Sequence, residues 1–153
     1  MIKIDKLSKK YDKDYVLKDL SCTIKDNSIY GLVGANGSGK STLLRTIMGI
    51  YDTDGGDITV DGSRVYDNDV IKQKMVFVQD DLYFNSNYTL MDTARYYESM
   101  YKDFDMNYLK ELANMLNLSL NKKINTFSKG MKRQCALICA ICTNADSMFF
   151  DET

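Results

Sequence analysis

One segment, residues 34–41, limits what this chain can fold into more than any other. It reads Gly-Ala-Asn-Gly-Ser-Gly-Lys-Ser and fits the pattern G-x-x-x-x-G-K-[ST], in which backbone N–H groups surround phosphate oxygens. Its glycines predict backbone angles that a side chain would oppose, so that successive N–H groups can face one anion. Lys40 adds a mobile positive charge, Ser41 offers a hydroxyl to Mg²⁺, and the helix expected here directs its positive end at the same phosphates. The segment therefore predicts a phosphate-binding loop.

The residues on either side of the loop support this prediction. A phosphate-binding loop of this type follows a buried strand and precedes a helix. Residues 29–33 are apolar enough for the strand, and residues 43–48 have the composition of the helix. A glycine-rich turn that matches the pattern by chance would not be expected to follow a strand and precede a helix. The context therefore favours phosphate binding.

Composition and charge narrow the class of protein. The chain has 153 residues, about one domain, and 44% of them are hydrophobic, which is enough for a substantial core. A net charge of -1 gives no reason to expect a nucleic-acid partner, because proteins that bind the phosphate backbone usually carry a clustered positive excess. The sequence has neither a run of about 18 apolar residues nor the apolar core of a secretion signal. We therefore expect a cytosolic chain.

Three cysteines lie close together in the sequence, and two explanations compete for them. Cys135, Cys139 and Cys142 have the C-x3-C-x2-C spacing of some iron–sulfur sites. They fall, however, in an apolar run expected to be helical, where the first and third would be about 10 Å apart along the axis. Such a helix presents them as a core-facing stripe, and reduced cysteine packs as a small hydrophobic side chain. We expect core packing, with no metal and no disulfide.

An antiparallel β layer is expected at the N-terminus. Residues 1–7 alternate between apolar and polar, and a second candidate strand covers residues 15–24. The loop between them, residues 8–14, contains Tyr11. This tyrosine is either an ordinary surface aromatic or a stacking platform for a nucleotide base.

Further strand signals follow the phosphate-binding loop. Residues 57–60 alternate like a half-buried strand, and the Asp61-Gly62 pair predicts a hairpin turn. Residues 74–78 are nearly all apolar, as expected in a sheet that is covered on both faces. Gln79 stands at the end of this strand, where a glutamine is either a surface cap or a ligand.

From residue 89 the apolar residues recur with helical spacing, which predicts a helical insert. One apolar face consists of Leu90, Thr93, Ala94, Tyr97 and Tyr101, and a second of Leu109, Leu112, Ala113, Leu116 and Leu118. The tyrosines of this region are Tyr83, Tyr88, Tyr96, Tyr97, Tyr101 and Tyr108. We expect most of these tyrosines to belong to the core, and a partner-binding surface is the alternative.

Two segments near the C-terminus carry polar residues at the ends of apolar elements. Residues 127–134 open the cysteine-bearing helix, with Ser128 as a candidate N-cap. Residues 148–152 form an apolar strand that finishes in Asp151 and Glu152. Carboxylates at the end of such a strand can hold hydrated Mg²⁺ and orient or deprotonate a water, and an acidic turn is the simpler alternative.

Taken in this order, the motifs resemble those of the nucleotide-binding subunit of ATP-binding cassette (ABC) transporters over the whole chain. Residues 34–41 resemble Walker A, Gln79 the Q-loop, residues 127–131 the family signature, residues 148–152 Walker B, and Tyr11 the aromatic that stacks on adenine. The signature departs from the commoner Ser-Gly-Gly-Gln form, but Ser128 and Gly130 keep the phosphate-facing positions. The resemblance thus rests on several motifs rather than one.

The resemblance implies an α/β fold: a P-loop NTPase (RecA-like) core with an N-terminal antiparallel β layer and a helical insert. The chain is then a single partial ABC-type domain over residues 1–153, with the helical subdomain at about residues 82–130. The family's switch histidine and aspartate loop lie beyond Walker B, whereas this sequence contains no histidine, and Thr153 stands where proline is usual. The C-terminal part of the core, including a central strand, is therefore expected to be missing. Such a fragment should fold poorly and turn over ATP slowly or not at all.

The resemblance also implies a bound ATP, a Mg²⁺ ion and a set of site residues. The residues expected to bind ATP are Tyr11, Gly34, Asn36, Gly37, Ser38, Gly39, Lys40, Ser41 and Thr42. Those expected to hold Mg²⁺ are Ser41, Gln79 and Asp151. Catalytic roles fall to Glu152, Lys40, Gln79, Ser128 and Gly130, with Glu152 polarising the attacking water.

The partners are implied by the resemblance as well. The family works as a head-to-tail dimer, either a homodimer or a paralogous heterodimer, in which Ser128 and Gly130 complete the partner's site. The function implied is ATP binding and hydrolysis in a bacterial ABC transporter, with transport through a separate transmembrane permease. Its location would be cytoplasmic, peripheral on the inner face of the cell membrane. The alternatives are a soluble ABC ATPase without a transport role and a catalytically incomplete nucleotide-binding fragment.

Overall fold

The computed structural model describes residues 1–80 and 84–151, and the chain divides into two compact units, Met1–Lys72 and Gln73–Thr153. The elements of the first unit are β1 (Ile2–Tyr11), β2 (Asp14–Ile24), α1 (Lys40–Ile47), β3 (Gly55–Val60), β4 (Ser63–Arg64) and α2 (Asp69–Lys72). Those of the second are β5 (Met75–Val78), α3 (Leu90–Met100), α4 (Met106–Met115), a 3-10 turn (Ile124–Thr126), α5 (Lys129–Ile141) and β6 (Ser147–Phe150).

The first unit is built on an antiparallel sheet with the strand order β2-β1-β3-β4. Ile2 pairs with Ile24 on one side and with Val60 on the other, so β1 is a central strand. β3 and β4 form the hairpin that Asp61 and Gly62 predicted, because both of these residues adopt positive φ angles. The predicted antiparallel layer is therefore confirmed.

The first strand is longer than the sequence suggested. The loop predicted at residues 8–14 is wrong: β1 continues through Tyr11, which pairs with Asp14, so the turn consists of Asp12 and Lys13. The register is irregular along the way, and Lys6 has a φ of 49°. Such bulges shift the alternation of a strand without ending it, which explains why the alternating pattern alone placed the end of β1 too early.

The prediction of a strand immediately before the phosphate-binding loop is also wrong. Residues 29–33 form no strand in the structure, and Ile29 and Val33 are almost fully exposed. A buried strand needs neighbours for its backbone N–H and C=O groups, and no strand within the described ranges pairs with this segment. Apolar composition signals a strand, but it does not supply the partners.

In the second unit, β5 and β6 lie side by side as a parallel pair, with Met75 opposite Ser147 and Val78 opposite Phe150. The valines of β5 pack with two alanines of α5; this cluster consists of Val76, Val78, Ala136 and Ala140. Both predicted strands are thus confirmed. We predicted that both faces of β5 would be covered. This is confirmed only in part, because Phe77 on β5 is half-buried.

The helices α3 and α4 are stabilised by their caps and by their apolar faces. Thr89 and Asp92 form a capping box at the start of α3, and Asp105 caps α4. Leu90, Ala94 and Leu109 are buried in the main core of this unit, as predicted. Leu116, the first residue after the end of α4, is exposed instead. The single domain over residues 1–153 and a helical subdomain at about 82–130 stay predictions.

The tyrosines of this region divide between core and surface. Tyr97 and Tyr101 are half-buried and stack on each other, with their ring centroids 6.1 Å apart. The exposed members are Tyr88, Tyr96 and Tyr108, so the expectation that most of the set belongs to the core is wrong. Tyr83 lies outside the described residues.

The cysteine-bearing helix confirms the core-packing prediction. Cys135, Cys139 and Cys142 are completely buried, the first two on α5 and the third at its C-cap. Burial raises the pKa of the Cys135 and Cys142 thiols to about 11 and raises that of Cys139 as well. These side chains are therefore protonated near neutral pH and pack as small hydrophobic groups.

No helix in the described part of the chain is long and apolar enough to cross a membrane.

Candidate nucleotide-binding site

The start of α1 is the centre of the candidate site. Its N-cap residue is Gly39, which has a φ of 89° in the left-handed region. No side-chain hydrogen bond caps the helix there. The first turn contains no acidic residue, and the first helical hydrogen bond runs from the Leu43 N–H to the Gly39 carbonyl at 2.8 Å. The positive end of the helix is thus left without a carboxylate from its own first turn, as an anion site requires.

Two of the three loop glycines adopt a backbone conformation that favours glycine. Gly37 and Gly39 have φ angles of 81° and 89°, which confirms the prediction of left-handed backbone. Gly34 does not share that conformation, so the predicted reason is wrong for this residue. A Cβ at Gly34 would lie 2.6 Å from the Ser38 Oγ, a contact that rotation of the Ser38 side chain can relieve, so space limits this position only weakly.

Lys40 closes the loop on itself. Its ammonium donates hydrogen bonds to the carbonyl oxygens of Gly34 at 2.9 Å and Ala35 at 3.0 Å. The Ser38 N–H also donates to the Ala35 carbonyl, at 3.1 Å. The positive charge is therefore held over the loop on a flexible stem, from which it can reach an anion in the loop.

The structure places eight of the nine predicted ATP-binding residues on one continuous segment that runs from the loop into α1. Its exposed part consists of Gly34, Asn36, Gly37 and Ser38, and its half-buried part of Gly39, Lys40, Ser41 and Thr42. Exposure of the loop leaves its backbone accessible to a ligand. The assignment of these residues to ATP stays a prediction.

The ninth residue, Tyr11, lies at the end of β1 in the same unit. Its side chain is 47% exposed, and its ring meets that of Tyr51 nearly edge-on, with centroids 6.3 Å apart and an interplanar angle of 89°. Tyr51 lies in the segment between α1 and β3, and sequence analysis assigned it no role. No sequence pattern indicated this contact, because the two tyrosines are 40 positions apart.

Gln79 and Asp151 are brought together by the parallel pair. They follow Val78 and Phe150, which are opposite each other, and the Asp151 N–H donates to the Val78 carbonyl at 3.0 Å. The Asp151 residue is only 6% exposed, whereas Gln79 is exposed. Two of the three predicted metal ligands therefore share one edge of the sheet, while Glu152 lies outside the described residues.

The start of α5 carries the residues predicted to face a partner's phosphates. Ser128 is the N-cap, as predicted, and its Oγ accepts a hydrogen bond from the Met131 N–H at 3.2 Å. Gly130, in the first turn, is exposed. Sequence analysis missed a nearby ion pair, in which Arg133 donates to the Asp80 carboxylate at 2.7 Å. This pair connects α5 to the residue that follows Gln79.

The comparisons with known proteins agree with the fold and the motifs. A glycine-rich loop that leads into a helix places the chain in the class of P-loop proteins. The sequence model of the ABC transporter family matches residues 17–153, and the chain belongs to that family. The family resemblance and the α/β P-loop fold are both confirmed.

Individual relatives give the extent of the similarity. The ABC transporter ATP-binding protein YtrB of Bacillus subtilis is 35% identical over 152 residues, 99% of this chain and 52% of that protein. The arginine transport ATP-binding protein ArtM of the same organism is 30% identical over 99% of this chain and 68% of its own length. A solved ATP-binding subunit of an ABC transporter matches with a TM-score of 0.90 at 25% identity, over 99% of this chain and 65% of that one. The chain thus spans about half the length of several curated relatives.

Proposed function

We propose that this chain is part of an ATP-binding and ATP-hydrolysing subunit of a bacterial ABC transporter, which energises transport through a separate membrane protein. The observation that carries the proposal is the start of α1, where a left-handed Gly39 cap and the Lys40 ammonium lie at one loop. The membership in the ABC transporter family supports the choice of ATP among phosphate ligands.

The phosphate loop supplies charge and N–H donors in the proposed reaction. The backbone N–H groups at the start of α1 would hold phosphate oxygens, and Lys40 would leave the loop carbonyls to pair with the β- and γ-phosphates. Phosphoryl transfer places negative charge on these oxygens, so fixed donors that strengthen in the transition state accelerate it. The base would stack on Tyr11.

The residues at the edge of the parallel pair fit Mg²⁺ by their chemistry. Asp151 is a nearly buried carboxylate next to the amide-bearing Gln79, and Mg²⁺ prefers oxygen ligands of these types. With the Ser41 hydroxyl they would hold the ion, Asp151 through water. Bound Mg²⁺ would neutralise charge on the phosphate oxygens.

Changing Asp151 to asparagine is expected to raise the Mg²⁺ concentration needed for half-maximal ATP turnover by the intact protein about tenfold, because supporting carboxylates contribute that much to metal affinity. Asp146→Asn, at an exposed position before β6, removes the same charge from the same unit and serves as the control. A Mg²⁺ titration that gives equal midpoints for the two variants would remove Asp151 from the metal site.

We assign Glu152 the role of general base, which polarises the attacking water. Glu152→Gln is expected to reduce ATP turnover by the intact protein about a hundredfold, the usual contribution of general-base catalysis, while Mg·ATP affinity is retained. Steady-state turnover and equilibrium binding measured on the same preparation test this. Retained turnover would show that another group activates the water, and survival of turnover in both Glu152→Gln and Lys40→Ala would show that the catalytic assignment is wrong.

The proposed assembly is a head-to-tail dimer of this subunit, or of it and a paralogue, bound to a transmembrane permease on the inner face of the cell membrane. The Ser128 Oγ already accepts from Met131, so its own O–H remains able to donate to a phosphate oxygen of the partner's ATP. Gly130 would let the phosphate approach the first turn of α5 closely. Co-purification of the intact protein with a membrane protein supports this assembly, and co-purification with ribosomes would contradict it.

A further inference from the structure

The ring of Tyr11 has a neighbour that the proposed function does not use. Tyr51 meets it at 89° with a centroid separation of 6.3 Å, a favourable edge-to-face arrangement. In such a pair one ring presents an edge and the other a face, so at least one face of Tyr11 is not covered by Tyr51. The 47% exposure of Tyr11 is consistent with an open face.

The segment that carries Tyr51 is fastened to the end of β1 by Asp54. The Asp54 carboxylate accepts hydrogen bonds from the Lys10 N–H at 2.8 Å and from the Lys9 ammonium at 3.1 Å. The Asp54 N–H donates to the Ser8 carbonyl at 2.9 Å. These contacts reach Ser8, Lys9 and Lys10, the three residues before Tyr11, so the segment that carries Tyr51 is held next to the end of β1.

The charge of Asp54 strengthens this attachment. Its pKa is held below the ordinary value, first by the Lys10 N–H and then by the Lys9 ammonium. The carboxylate is therefore ionised near neutral pH. Both of its contacts are hydrogen bonds to a charged acceptor, the stronger kind.

We propose that Tyr51 is a positioning residue, which holds the Tyr11 ring in the orientation that stacks on the base of a bound nucleotide, while Asp54 fixes the segment that carries it. This inference rests on the proposed nucleotide binding. The part of the ATP affinity that comes from the base then depends on Tyr51 as well as Tyr11. The phosphate-dependent part comes from the loop and does not depend on either ring.

Two ligands separate these parts in an equilibrium binding experiment with the intact protein: Mg·ATP, and Mg·tripolyphosphate, which has no base. Tyr51→Ala is expected to lower the ATP affinity about threefold to tenfold, the value of an aromatic pair, and to leave the tripolyphosphate affinity unchanged. Tyr51→Phe should keep the wild-type ratio of the two affinities, since the ring contact needs no hydroxyl. Tyr66→Ala, at an exposed tyrosine of the same unit, is the control.

A double variant tests whether Tyr51 acts through Tyr11. If it does, adding Tyr51→Ala to Tyr11→Ala costs nothing further in ATP affinity. The inference is overturned if the two losses add fully, if Tyr51→Ala leaves the ratio unchanged, or if Tyr51→Ala and the bulkier Tyr51→Leu lower both affinities equally. A wild-type protein that binds neither ligand would instead overturn the proposed function. One that binds both equally would leave the phosphate site standing and remove the base-stacking role.

Discussion

Replacing Lys40 with alanine is expected to reduce the affinity of the intact protein for Mg·ATP about a thousandfold. Removal of one partner from a close charge pair costs about 2–5 kcal/mol, and 4 kcal/mol corresponds to that factor. Lys40 is the only lysine or arginine of the loop, and its ammonium lies within 3.0 Å of two loop carbonyls. Its removal leaves the loop itself with neutral donors only.

The control for this change is Lys3→Ala, which removes the same charge from an exposed position on β1. Isothermal titration calorimetry on the wild type and both variants gives the three affinities. Lys40→Ala also removes the two hydrogen bonds to the Gly34 and Ala35 carbonyls, whereas the left-handed glycines and the Ser38 hydrogen bond do not involve the lysine side chain. A Lys40→Ala protein that binds Mg·ATP as tightly as Lys3→Ala would contradict the assignment of the loop.

The parts of the site that sequence analysis predicted correctly are local. Residues 34–42 are adjacent in the chain, and the left-handed conformation of Gly37 and Gly39 follows from the absence of a Cβ. The Ser128 cap likewise depends on a residue three positions away. Gln79 and Asp151 are distant in sequence, yet each ends an apolar strand, and the carboxyl ends of parallel neighbours share one edge.

The parts that sequence analysis missed depend on partners far along the chain. Nothing local shows whether the apolar segment at 29–33 has neighbouring strands, and in the described structure it has none. The Tyr11–Tyr51 contact and the Arg133–Asp80 pair join residues 40 and 53 positions apart. Charge and aromatic character were visible in these residues, but which of them would meet was set by the sheet register and by the packing of α5.

Replacing Gly56 with alanine is expected to destabilise the intact protein by about 4 kcal/mol, from the strain of a left-handed residue and from overpacking against backbone. Gly56 has a φ of 71°, and a Cβ there would lie 2.2 Å from the Asp5 carbonyl oxygen and 2.4 Å from that of Lys6. These atoms belong to β1, the central strand, so they cannot move aside without disturbing its pairing with both neighbours. The shift of the urea midpoint at constant slope measures the loss.

Gly62→Ala separates the two causes. Gly62 also has a positive φ, 81°, but a Cβ there would meet nothing within 4 Å, so only the backbone strain of about 1 kcal/mol is expected. Because both glycines lie on the same β3–β4 hairpin, the difference between the two variants isolates the clash with β1. Equal shifts for the two would mean that β1 and β3 are not as close at Gly56 as the described register requires.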